Sequence, residues 1–322
     1  MHKKIKIYSF IRTLNPERFD YHYIRHIIEH LKLKGYDLEW LDLDGNDKFV
    51  YKNGGEVVIN QGSITIFEFE DGTFKTFDFG DAPTLTLQLS KSKNFIGAAI
   101  GQYNKKLWDE NISDINLRSK VKAGIYPESF WQFGINNYND IQNFRNSIKL
   151  DSRLFWRGSI YENPAQPEYK CRESIKILSS ILNNDFYFGY GQLPFDSYMA
   201  ESMNFKLALC YGVGGGYICG DHCLRDIELY GIGIPTIRPI YAVENFSKLI
   251  PNEHYIAVDL PFDDKFRYNN PQLCAEMVAS RYKEVISDSD FLKYVANNAR
   301  KWYIDNISYP VVIDNIIKSL DL

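Results

Sequence analysis

The sequence is short of several things, and each shortage excludes something. Basic residues do not outnumber acidic ones: 37 Lys and Arg stand against 41 Asp and Glu, a net charge of −4. A general nucleic-acid binder would carry a basic excess for the phosphates, so no nucleic-acid partner is expected. No apolar run approaches the length of about 18 residues that crosses a bilayer. That excludes a membrane span and leaves peripheral contact with a membrane surface open. Cysteines are few and odd in number: Cys171, Cys210, Cys219, Cys223 and Cys274. Their scatter fits neither a disulfide framework nor a zinc module and points to free thiols and a cytoplasmic location. "CGDHC" (219–223) has no second ligand pair, so no metal is expected. The basic start "MHKKIKIYSFI" has too short an apolar run for a secretory signal and reads as a first strand.

What is present is ordinary globular composition, with 45 % apolar and 24 % charged residues over 322 positions. That length allows two α/β domains of about 150 residues each. Aromatics reach 15 %, with 23 Tyr and 21 Phe; AT-rich coding and ring stacking on sugars or bases both produce such a surplus.

The chain opens β-α-β. "IKIYSFI" (5–11) is a strand, and 21–35 is a helix with Ile24, Ile27, Ile28 and Leu31 on one face, closed by Gly35. A second strand follows at 37–44. His22, His26 and His30 share the opposite helix face, read as solvated rather than metal-binding. Hairpin signals fill 48–79. The second half alternates strands (153–161, 185–191, 205–212, 234–241, 254–261) with helices (168–183, 196–203, 221–231, 243–249, 271–286, 288–305, 310–320). This is the pattern of a doubly wound parallel sheet. The expected division is an N-terminal acceptor-side domain with a hairpin insertion (1–145), a C-terminal domain (146–310) and a last helix (311–322) that packs back on the first domain.

The chemistry gathers in the second half. After the strand at 205–212 come Gly212, Gly214, Gly215, Gly216 and Gly220, and then Asp221 can cap a helix. That helix would turn Cys223, Leu224, Ile227 and Tyr230 inward and His222, Arg225 and Glu228 outward. Glycines let backbone approach a phosphate, and a helix start with an arginine supplies positive potential. Tyr217 breaks the G-x-G-x-x-G fingerprint, which disfavours a nicotinamide-dependent oxidoreductase. Each residue also has a plain structural reading: Arg157 as a strand-end ion pair, Arg225 and Glu228 as a helix surface pair, His254 as a satisfied histidine.

"DIELYGIGIPTIRP" (226–239) resembles the donor element of GT-B glycosyltransferases. Three segments in order, "LFWRGS" (154–159), "DHCLRDIEL" (221–229) and "ENFSKLIPNEHYIAVDLP" (244–261), resemble the protein O-glucosyltransferase and capsule-associated family (glycosyltransferase family 90-like) across about 150–310. The resemblance implies two Rossmann-like domains with the donor in the C-terminal one. It implies transfer of a glucose- or xylose-like sugar from a UDP-sugar to a glycan or other hydroxyl acceptor. The reaction would invert configuration and need no metal or cofactor, the UDP-sugar being a co-substrate. By position, Arg157, Gly158 and Ser159 would face the donor diphosphate or sugar, with Gly215, Gly216, Asp221, Arg225 and Glu228 beside it, and Glu244 would hold a hydroxyl. The alternative is a nucleotide-sugar- or glycan-binding protein of the same fold without catalysis.

An inverting transfer needs a base for the acceptor hydroxyl. The family has an aspartate four residues before the proline of Tyr126-Pro127; here that residue is Ala123. Asp81 and Glu128 are the first candidates, and Asp109 and Asp114 the next. Asp42 and Asp44 form an Asp-x-Asp pair, but too early in the chain for a donor metal.

Overall fold

The computed structural model describes residues 4–10, 19–43, 48–51, 55–58, 64–78, 84–101, 103, 105–124, 136–159, 169–191, 193–210, 224–240, 246–261, 270–309 and 311–322. The chain forms two units. One comprises Met1–Trp131, Val243–Lys248 and Asn306–Leu322; the other comprises Gln132–Ala242 and Leu249–Asp305. Among the described residues, no helix is long and apolar enough to cross a membrane.

The first unit holds a six-stranded sheet. β1 (Lys4–Phe10), α1 (Phe19–Leu33) and β2 (Asp37–Leu43) make the opening β-α-β unit, with β1 and β2 parallel. α1 buries Ile24, Ile27, Ile28 and Leu31. It stops at Gly35, whose φ of 83° no branched residue adopts without strain. The bonds Gly35 N–H to Lys32 O and Tyr36 N–H to Leu31 O close its last turn. The hairpin signals become two hairpins. β3 (Lys48–Tyr51) with β4 (Gly55–Val58) forms a separate ribbon, and β5 (Ile64–Phe69) with β6 (Phe74–Asp78) enters the sheet centre. Phe49 of the ribbon packs edge-on against Tyr8 and Phe74. β7 (Phe95–Ile100) and β8 (Val121–Ala123) continue parallel to β6. Three short helices, α2 (Thr84–Leu89), α3 (Lys105–Asn111) and α4 (Ile115–Arg118), link these strands.

The second unit is a five-stranded sheet with every pairing parallel. Its strands are β9 (Asp151–Gly158), β10 (Phe186–Tyr190), β11 (Phe205–Leu209), β12 (Thr236–Pro239) and β13 (Ile256–Val258), in the order β10-β9-β11-β12-β13. The helices are α5 (Tyr138–Ser147), α6 (Tyr169–Leu182), α7 (Phe195–Ser202), α8 (Leu224–Gly231), α9 (Pro271–Val285) and α10 (Ser289–Asn306). Alternation along the strands, broken by an irregularity between Phe205 and Leu207, sorts them into two layers. Leu154, Trp156, Leu207 and Leu209 pack with α6, α9 and α10 on one face. Phe155, Phe205 and Ala208 pack with α5, α7 and Leu229 of α8 on the other. A sheet buried on both faces explains the near-continuous apolar strands of this half.

α5 belongs to this unit although the sequence puts a boundary inside it, at 145. Its buried residues are Ile141 and Arg145. Arg145 donates to the carbonyls of Met203 (2.8 Å) and Phe205 (2.9 Å), and burial pulls its pKa down to about 10. A helix anchored by an arginine shows little apolar periodicity.

Two expectations are corrected. Residues 246–249, expected to be helical, are not; the Phe246 N–H donates to the Gly124 carbonyl (2.8 Å) instead of to a helical turn. The histidine face of α1 is partly covered: the His26 and His30 side chains are 29 % and 25 % exposed. α11 (Val311–Ser319) and the residues before it lie against it. His30 Nε2 is 3.2 Å from Asp314, and the His26 ring sits 4.5 Å from that of Tyr309. α11 buries Val312, Ile313, Ile316 and Ile317 within the first unit.

Candidate functional site

In an order of second-first-third-fourth-fifth strand, the chain leaves in opposite directions from the first and third strands. The crevice at the carboxyl ends of those two strands is where such sheets take ligands. Here they are β9 and β11. β9 ends in Arg157, Gly158 and then Ser159. β11 ends at Leu209, followed by Cys210, and segment 211–223 links it to α8. The sequence-selected residues at 157–159 therefore occupy one lip of the switch point. Gly215, Gly216 and Asp221 lie outside the described residues, as do Glu244, Asp81 and Glu128. Arg225 lies in the first turn of α8.

Arg157 is committed to a local network. Its Nε and Nη2 donate to both oxygens of Glu201 on α7, the latter at 2.6 Å, and Nη1 donates to the Tyr190 carbonyl at 2.8 Å. Tyr187 donates to the same carboxylate at 2.6 Å. Burial pushes the Glu201 carboxyl up, but the bonds from Arg157 and Tyr187 outweigh it and hold its pKa below the usual range. A Cβ on Gly189 would come within 2.7 Å of the guanidinium carbon. The strand-end ion pair is thus what the structure shows for Arg157.

Gly158 has a different neighbour. A Cβ there would lie 2.8 Å from Trp156 Cζ2 and 3.1 Å from Arg172 Nη1. Arg172, in the first turn of α6, is buried, with its guanidinium 5.3 Å from the Trp156 ring centroid. It places a second cation at the end of β9, and sequence spacing does not single it out. Gly158→Ala should destabilise the protein by about 1–3 kcal/mol, because the Trp156 ring has no room to retreat. A thermal melt checks this; an unchanged midpoint would mean that the ring moves freely.

α8 departs from its expected faces. Asp226 through Gly231 are all buried, Glu228 among them at 7 % exposed. Glu228 is therefore not half of a surface pair. The physical reason is a third layer: Trp302 of α10 meets Tyr230 edge-on, and Arg300 of α10 donates to the Gly231 carbonyl. Sequence reading also missed the acid beside Arg225. Asp226 is 0 % exposed and Arg238 of β12 is 1 % exposed, with Oδ2 and Nη1 3.0 Å apart. The Arg238 guanidinium lies 4.2 Å over the Tyr255 ring.

The remaining candidates have structural occupations. Asp114 caps α4 by accepting from Asn116 N–H at 2.8 Å. Asp109 pairs with Lys105 one turn back. His254 Nδ1 accepts the Ile250 N–H at 2.9 Å, so the ring is neutral, and burial lowers its pKa. Among the described residues no three His, Cys, Asp or Glu side chains gather as a metal set.

No protein-family model matches the chain, and no curated protein matches it. Among solved structures, a glycosyltransferase from Rickettsia africae is similar at TM-score 0.45 and 9 % identity, covering 74 % of this chain and 67 % of that one. Anabaena HepE in complex with UDP-glucose is similar at TM-score 0.43 and 11 % identity, covering 75 % and 70 %. TarM is similar at TM-score 0.33 and 12 % identity, covering 85 % and 66 %. At these values the likeness is partial, and the functional reading rests on the chain's own residues.

Proposed function

We propose that the protein is a glycosyltransferase of the GT-B kind that binds a UDP-sugar at the carboxyl edge of the second unit's sheet. One observation carries the reading. The two segments chosen from sequence for donor contact, 157–159 and the glycine-rich 211–223, stand at the end of β9 and after β11, the two strands that flank the switch point. In the reaction, an acceptor hydroxyl attacks the anomeric carbon, a carboxylate takes its proton, and UDP departs. Positive groups must offset the charge that develops on the diphosphate. Arg225 and Arg172 are the cations we assign to that task, since Arg157 is neutralised by Glu201. The glycine-rich backbone would supply N–H donors without a metal ion. In this reading the transferred sugar is glucose- or xylose-like and the acceptor a glycan or other hydroxyl.

Titration calorimetry with UDP tests this in excess EDTA. The protein should bind UDP under chelation, and Arg225→Ala should weaken binding by about 1.5–3 kcal/mol, the value of a charged hydrogen bond to phosphate. Equal affinities would remove Arg225 from the site. Binding that needs added manganese or magnesium would count against the metal-free GT-B assignment.

A further inference from the structure

Three elements of the second unit converge on one buried arginine. Arg238 comes from β12, Asp226 from the first turn of α8, and Tyr255 from the residue before β13. Arg238 Nη1 lies 3.0 Å from Asp226 Oδ2 and 3.3 Å from Tyr230 Oη. Both charges are removed from water. An apolar pair of similar volume would generally hold a core at least as well as a buried ion pair, because desolvation consumes most of the Coulomb gain. Stability alone therefore does not account for these two residues.

What an ion pair adds is direction. A nitrogen aimed at one carboxylate oxygen fixes both the rotation and the height of the first turn of α8 against β12. Apolar packing fixes neither as sharply. The place matters. Arg225 immediately precedes Asp226, and segment 211–223 enters α8 there. β12 pairs with β11 through Leu209 and Ile237, one strand from the switch point.

We propose that Asp226 and Arg238 are positioning residues of the donor site. Their pair sets the start of α8, and with it the backbone that carries Arg225, at the carboxyl edge of the sheet. The inference rests on the UDP-sugar reading for its ligand, but not for its anchoring.

The test uses the full chain with Asp226→Leu and Arg238→Met combined, an apolar pair replacing the ionic one. The double variant should melt within about 5 °C of wild type. Its UDP affinity should fall at least about tenfold, the scale of small misplacements. Amides of residues 224–227 should exchange at least about tenfold faster, while β12 stays protected. Arg238→Lys, which keeps a cation for Asp226, should fall between wild type and double variant in both measurements. It also serves as the test if the double variant does not fold. Wild type failing to bind UDP would overturn the donor reading. Wild-type UDP affinity in the variants would overturn the positioning role. Unchanged exchange at 224–227 would overturn the anchoring itself, whatever the ligand.

Discussion

Arg238→Met alone is expected to lower stability by about 3–5 kcal/mol, far more than the double replacement. The reason is what it leaves behind. Asp226 is 0 % exposed, and removal of the guanidinium takes the opposite charge at 3.0 Å from a carboxylate that water does not reach. A charge in that position is relieved only by taking up a proton or by local unfolding. In the variant the folded state therefore binds a proton that the unfolded state releases above about pH 4. Stability then falls as pH rises, and the deficit against wild type should be larger at pH 8 than at pH 5. Urea denaturation at the two pH values reads both quantities. A loss below about 1 kcal/mol, or one independent of pH, would mean that Asp226 finds another partner of equal strength.

The second large effect concerns the base. Asp81→Asn or Glu128→Gln is expected to lower turnover by about a hundredfold or more while UDP binding stays intact, the usual result of removing a general base. Asp81 follows β6 by three positions and Glu128 follows β8 by five, and β6, β7 and β8 run parallel. Both residues thus follow strands that end at the same edge of the first unit's sheet. Ala123, where the resembled family has its aspartate, closes β8. Sugar-transfer rates and UDP calorimetry on both variants decide between them. If both turn over normally, neither is the base, and a retaining course without a classical base becomes the better account. Asp109 and Asp114 are poorer substitutes, since one pairs with Lys105 and the other caps a helix.

The second unit was largely legible from sequence because its signals are local. A parallel strand buried on both faces reads as an apolar run, and each following helix shows its own stripe and caps. The helix expected at 271–286 appears as Pro271–Val285, with Asn270 accepting from Leu273 N–H. What escaped were partners set by the tertiary fold. Glu201 meets Arg157 across 44 residues, and no spacing rule connects them. Glu228 looked exposed because the helix that meets α8 comes from about seventy residues later, with Trp302 against Tyr230 and Arg300 bonded to Gly231. Arg238 did carry a signal. An arginine inside "IPTIRP", a strand with both faces buried, must have a partner, and the nearest acids upstream are Glu228 and Asp226, between which spacing does not choose. α5 escaped because its buried face includes an arginine, and 246–249 because a bond to Gly124 replaces a helical one.

The route of the chain between its units bears on synthesis. The first unit takes residues 1–131, then 243–248, then 306–322. Its α11, reached only after the last crossing, lies beside α1, with Asp314 3.2 Å from His30. The described strands and helices of the second unit all come before α11 in the chain. The first unit therefore receives α11 only after the described elements of the second, and an arrest of translation between them would leave the place of α11 beside α1 open to chaperones and to aggregation.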